Sequence, residues 1–225
     1  MKIRFWGVRG SIATPISAEQ IQSKIVAVVS RISARDLESE NARQNFIANL
    51  PEYLYGTIGG NTACLEIENE NGDHIIIDAG TGIRMCGKQY AKKNNQVFHL
   101  LFSHFHWDHV QGLPFFDPAY KSDTAFHIYS NYPDMRRFLE AQMEVPYFPV
   151  RMNTFTKNIF WHDITDTVPF KIGGMQIITK LMFHPGDSHS YLLMENGKRF
   201  IHATDVELRQ IDFERTEENI AFFQD

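Results

Sequence analysis

Six residues constrain this chain more than any others: His104-Phe105-His106-Trp107-Asp108-His109, placed directly after the apolar run Val97 to Ser103. Four nitrogen or carboxylate donors fall within one short stretch. In a loop that enters a helix, His104 and His106 can point the same way and share one ion. Asp108 and His109, on the next turn, can address a second ion. Two divalent cations roughly 3.5–4 Å apart can clamp the oxygens of a displacement and hold a hydroxide between them. Imidazole and carboxylate donors suit zinc first, with manganese or iron as alternatives. The bland reading, polar residues at a solvated helix start, does not explain why four donors cluster while most of the ten histidines are scattered.

A closed site needs donors from elsewhere. His184 follows the apolar run Ile177 to Phe183 and precedes a Pro-Gly turn. Asp205 follows Phe200-Ile201-His202-Ala203-Thr204. Each takes the same kind of place as the motif, the polar end of a strand. Strands are expected near 2–6, 63–68, 74–78, 97–103, 125–129, 168–172, 175–183, 190–194 and 199–203. Asn71-Gly72-Asp73 makes a hairpin turn, and Gly56 to Asn61 a further turn. Helices are expected after Ser17, whose spacing to Gln20 is that of a capping box, and over 36–49, 82–93, 133–142 and 216–224. Ile21, Ile25, Val28, Val29 and Ile32 recur at helical intervals. The segment of about 16–55 reads as a helical insert: a packed hairpin, an oligomer contact or a lid. With 225 residues and no linker or repeat, the chain reads as one domain over 1–225.

Here the residues resemble a known family. His104-x-His106-x-Asp108-His109, preceded by Ile77-Asp78-Ala79-Gly80-Thr81-Gly82 and followed by His184-Pro185-Gly186 and Ala203-Thr204-Asp205, is similar to the metallo-β-lactamase superfamily. Phe5-Trp6-Gly7-Val8-Arg9-Gly10-Ser11 and Gly59-Gly60-Asn61-Thr62 resemble the branch that holds ribonuclease Z and cyclic-phosphodiesterase-like hydrolases. The likeness covers nearly the whole chain outside the insert. It implies an α/β (α+β) fold, a four-layer αββα sandwich carrying the N-terminal helical insert. It also implies that His104, His106 and His184 hold a first metal, Asp108 and His109 a second, and Asp205 both. Asp78 would orient the motif loop from behind the ligands, and Asn61 would abut the site.

The family pattern calls for one more histidine, on a loop after a further strand. The last histidine here is His202, which precedes Asp205. The chain therefore reads as truncated before that strand, with an incomplete second metal site.

Asp108, itself a candidate ligand, and His189 are the candidate catalytic residues; His189 would face the pocket as a substrate contact or a proton donor to the leaving oxygen. Trp107 is expected to pack beneath the motif. Tyr147, Phe148 and Phe155 read as core or as a substrate wall, and His127 as a satisfied structural histidine. Asp163 and Asp166 read as loop caps. Cys64 and Cys86 lack a base partner and are too few for a disulfide framework, which fits the cytoplasm.

The reaction implied is hydrolysis, with a metal-bound hydroxide attacking a small or cyclic phosphodiester. The alternatives are a thioester or lactone hydrolase and a metal-binding or sensing protein without turnover. A small-molecule substrate, no membrane and no nucleic-acid partner are expected: the net charge of −5 gives no basic surface, and no apolar run reaches the roughly 18 residues of a membrane span. A homodimer is left open.

Overall fold

The computed structural model describes residues 1–56 and 60–223, Glu52 by its backbone alone. Six strands form the first sheet: β1 (Lys2–Gly7), β2 (Cys64–Glu68), β3 (His74–Ile77), β4 (Val97–Leu101), β5 (Ala125–Ser130) and β6 (Ile159–Asp163), in that spatial order. The β1–β2 and β2–β3 pairs are antiparallel; β3 to β6 run parallel. The second sheet is antiparallel in the order β10 (Lys198–His202), β9 (Ser188–Glu195), β8 (Met175–Met182), β7 (Phe170–Ile172).

Strand alternation decides what each sheet faces. In β3 the Ile75-Ile76-Ile77 run is buried on both sides, as a central strand covered by two layers requires. Ile75 and Ile77 join Leu65, Ile67 and Leu101 against Met175, Ile177, Tyr191 and Leu193 of the second sheet. Ile76 points the other way, with Phe98, Leu100, Phe126 and Ile128. That face packs on helices spanning Gly82–Tyr90 and Met135–Ala141, through Ile83, Cys86, Met135 and Leu139. The C-terminal helix, Glu217–Phe223, covers the outer face of the second sheet. Lys180 pairs with Glu218 there, and the Arg199 guanidinium donates to the carbonyls of Ala221 and Phe222 at 3.0 and 3.2 Å. Helix, sheet, sheet and helix make the four layers expected.

β6 was not expected from the sequence. The insert also differs. Its first helix, Ala18–Val29, starts at the Ser17–Gln20 capping box as read. The stretch 36–49 is two helices, Ala34–Leu37 and Glu40–Ala48, because Ser39 caps a new start by accepting from the Ala42 N–H. No residue of these three helices is buried, and Ile21, Ile25, Val26 and Val29 stay exposed. The helical period is real, but the apolar stripe does not enter the core. The expected turn over 56–61 lies partly outside the described residues, as does the end of the expected helix 216–224. Among the described residues no helix is long and apolar enough to cross a membrane.

Candidate metal centre

β3 and β4 are parallel neighbours, so the residues leaving their C-terminal ends emerge side by side. Asp78 leaves β3 with a φ of +61° and turns its carboxylate into the exit of β4. It accepts from the Ser103 N–H at 2.8 Å, the Ser103 hydroxyl at 2.7 Å and Nδ1 of His109 at 2.7 Å. Burial opposes the charge on Asp78, but the His109 imidazolium and these donors outweigh it and hold the carboxyl below its usual range. The chain then passes through His104 into a short helix, Trp107–Val110.

Two close backbone approaches press that helix against the loop after β3. A Cβ added at Gly80 would lie 2.2 Å from the Asp108 carbonyl oxygen, and one at Gly112 would lie 2.0 Å from that of Gly80. Hydrogen bonds from Ala79 N–H to the His109 carbonyl (2.7 Å) and from Gly112 N–H to the Ala79 carbonyl (2.8 Å) fix the contact.

The second sheet delivers the distant donors. His184 follows β8, and Asp205 follows β10 with a φ of +44°. Single donor atoms of His104, His106, His184 and Asp205 all lie within 4.8 Å of one another, as do those of Asp108, His109 and Asp205. The two groups share Asp205. Its Oδ2 is 3.4 Å from His109 Nε2 and 3.9 Å from Nε2 of both His104 and His184. His109 Nε2 is 3.6 Å from Asp108 Oδ2, and His184 Nε2 is 3.1 Å from His106 Nδ1.

The donor set fits divalent cations on two grounds. Nε2 of His104 and of His109 are buried with no hydrogen-bond partner, which is costly unless something else is bound there. Charge balance points the same way. Burial opposes a charged His109, yet Asp78 and Asp205 push it up to about 10, while burial and the neighbouring His109 hold His104 down to about 4. A proton on His109 thus stands where a cation would relieve two carboxylates.

Other residues support the cluster from outside. The Ser11 N–H, on the loop after β1, donates to Asp108 Oδ2 at 2.7 Å. No local pattern in the sequence marks that contact. Asn61 holds the same loop: its carbonyl accepts from the N–H groups of Val8 (3.0 Å) and Arg9 (2.9 Å), and its side chain accepts from the Thr81 hydroxyl at 3.3 Å. Asn61 therefore acts through the loop. His202 on β10 belongs to neither donor group.

His189 is not brought into the cavity wall. It sits on β9, 6% exposed, with Nε2 3.2 Å from Asp166 and its ring edge-on to Tyr132 at 5.3 Å. Its Nδ1 is buried without a partner. Asp166, expected as a loop cap, is the carboxylate that holds His189. Trp107 does not pack beneath the motif: it is 81% exposed, because its short helix turns it outward to the rim of a cavity of about 920 Å³ beside His104 and His106. Tyr147 and Phe148 line that cavity, whereas Phe155 is core. His127 is structural, with Nδ1 2.9 Å from His162 Nε2.

The sequence matches the family model described as a β-lactamase superfamily domain over residues 73–221. Two fungal proteins are similar to parts of the chain. The lactamase-like protein aptB of Emericella nidulans is 28% identical over 120 residues, 45% of this chain and 38% of that protein. The lactamase-like protein nscB of Aspergillus fumigatus is 30% identical over 90 residues, 35% of this chain and 27% of that protein. The matches thus span well under half the length of either relative. Among solved structures, the short form of human tRNase Z superposes with a TM-score of 0.53 at 14% identity, covering 92% of this chain and 71% of that one. Zinc-bound PqqB from Methylobacterium extorquens gives 0.51 at 13%, covering 88% and 61%. These likenesses are of fold.

Proposed function

The chain belongs to the metallo-β-lactamase superfamily, and from that premise we propose that it is a metal-dependent phosphodiesterase acting on a small or cyclic phosphodiester. The observation that carries the proposal is the pair of donor groups joined through Asp205 at the edge of an open cavity. We assign His104, His106 and His184 to one cation, Asp108 and His109 to a second, and Asp205 to both, with zinc as the first choice and manganese or iron as alternatives. Bound there, the cations would bring the pKa of a water near neutrality and neutralise charge that develops on phosphate oxygens.

The chain's own residues prepare the site. Asp78 takes the Nδ1 side of His109 and leaves Nε2 facing the cluster; the Ser103 hydroxyl, 3.1 Å from His104 Nδ1, does the same for His104. Ser11 keeps Asp108 from rotating away. Neither cysteine competes as a nucleophile, since both thiols are buried and burial pushes both up. Two free thiols also suit a cytoplasmic protein.

The test is turnover of bis(p-nitrophenyl) phosphate by protein loaded with zinc or manganese, lost on chelation and regained with the metal. No turnover by metal-loaded protein would count against the proposal. Among the described residues no lysine or arginine lines the cavity, which favours one second reading, a thioester or lactone hydrolase; hydrolysis of acyl thioesters with phosphodiesters untouched would select it.

A further inference from the structure

The cavity beside His104 and His106 has a wall that the metal chemistry alone does not require. Phe105, Trp107, Phe115, Phe138, Tyr147 and Phe148 line it. Part of this wall is already packed. Phe105 meets Phe138 at 5.2 Å and Tyr132 edge-on at 5.4 Å, and Phe115 meets Phe148 edge-on at 5.6 Å. Those rings hold one another, so the cavity exists before a ligand arrives. At the rim the rings are left bare: Trp107 is 81% and Tyr147 83% exposed. Large exposed aromatics beside a reactive centre mark a surface kept for contact.

The charge pattern is equally specific. Among the described residues no lysine, arginine, aspartate or glutamate lines this cavity. The donor cluster meets this cavity at one end, through His104 and His106, and only there would an anionic group find partners. A second phosphate or carboxylate on the bound molecule would be drawn from water against an aromatic wall that offers it no partner. The polar exceptions are neutral. Gln142 lines the cavity, and its side-chain nitrogen is buried without a hydrogen-bond partner. Its amide is neutral and offers no counter-charge to an anion.

We propose that the non-reacting part of the substrate is a flat, uncharged, largely apolar ring body seated in this aromatic cavity, with the scissile group at His104 and His106 as its only anion. A volume of about 920 Å³ suits a ligand of roughly drug size. Rings of Phe105 and Phe148 offer it edges and faces, and Trp107 and Tyr147 close over its outer side. The inference rests on the proposed hydrolase site and adds the class of molecule that site takes.

The test compares p-nitrophenyl phosphodiesters that share the leaving group and differ in the second ester: methyl, 2-naphthyl, and a naphthyl carrying a carboxylate. With zinc-loaded enzyme, kcat/KM rises at least tenfold from methyl to naphthyl and falls at least tenfold on adding the carboxylate. Tyr147→Ala and Phe148→Ala shrink the naphthyl-over-methyl ratio. A readout independent of turnover is equilibrium binding of naphthyl methylphosphonate against methyl methylphosphonate, followed by quenching of tryptophan emission. Naphthyl binds at least tenfold tighter, and Trp107→Phe removes most of the quench. Equal rates and affinities for methyl and naphthyl, or a preference for the carboxylated ring, would overturn the inference. Tight naphthyl binding without phosphodiester turnover would instead overturn the phosphodiesterase reading and uphold this one.

Discussion

Oδ2 of Asp78 lies 2.7 Å from Nδ1 of His109, across 31 residues of sequence, and this contact sets which ring nitrogen of His109 faces the donor cluster. Asp78→Asn keeps the shape but removes the charge and offers an amide donor to a nitrogen that must itself donate. Zinc affinity should fall 10- to 100-fold, the usual range for such outer partners. Competition against a fluorescent zinc chelator reads it directly. Unchanged affinity would mean that Asp78 serves only the fold.

His189 is held by Asp166 and walled off by Tyr132, while its backbone N–H donates to the Ser103 carbonyl at 2.9 Å, one residue before His104. This geometry fits a positioning residue. His189→Gln should lower kcat by less than tenfold and leave the acid and base limbs of the pH profile where they were. A proton donor to the leaving oxygen would cost roughly 10²- to 10⁴-fold and move a limb; that outcome would return His189 to the proton-transfer role its sequence position suggests.

The legible and illegible parts of this molecule divide by range. The β3 and β4 runs, the Asn71-Gly72-Asp73 turn and the Ser17–Gln20 cap depend on neighbours in sequence, and all are where the pattern puts them. The residues that the structure gathers into the two donor groups stand out in the sequence because they cluster in one motif or follow strand-like runs. β6 was not. Ile159 to Asp163 alternates weakly, exposes Phe160 and becomes a strand only through parallel pairing with β5, more than 30 residues earlier. Ser11 meets Asp108 across 97 residues. Trp107 misled because a tryptophan inside a motif is ordinarily packed; here it joins Tyr147 and Phe148 at a cavity that no local pattern announces.

The loop after β3 touches the motif helix so closely that only glycine fits. Gly112→Ala would put a Cβ 2.0 Å from the backbone oxygen of Gly80, an atom already fixed by its own loop. The helix must shift, carrying Asp108 and His109 with it. A loss of about 3 kcal/mol is expected in urea unfolding, together with weaker zinc binding. Gly10→Ala is the control: nothing lies within 4 Å of its Cβ, so its effect should stay within about 0.5 kcal/mol.

Away from the metal centre, stability should fall with acid in two successive windows. His99 stacks on His127 at 5.0 Å, and His127 on His162 at 5.1 Å. Burial first, and then the charge of His127, lower His99 from 6.5 to about 4, against a weaker pull from Asp73. The unfolded chain therefore binds this proton before the folded one does. The stability is whole above about 6.5 and is lost as pH falls towards 4, on the order of 2 kcal/mol. Glu66 acts next. Burial opposes its charge, but His74, Tyr90 and Trp6 bond the carboxylate and hold it down to about 2. Its contribution is whole above the ordinary 4.5 and drains as pH falls towards 2. Urea midpoints measured from pH 7 to 3 on metal-free protein check both windows. His99→Gln should make the profile shallower between 6.5 and 4, leaving the share that His104 contributes in metal-free protein, and Glu66→Gln should make it shallower below 4.5. A wild-type curve level from pH 7 to 4 would refute the histidine stack as the source.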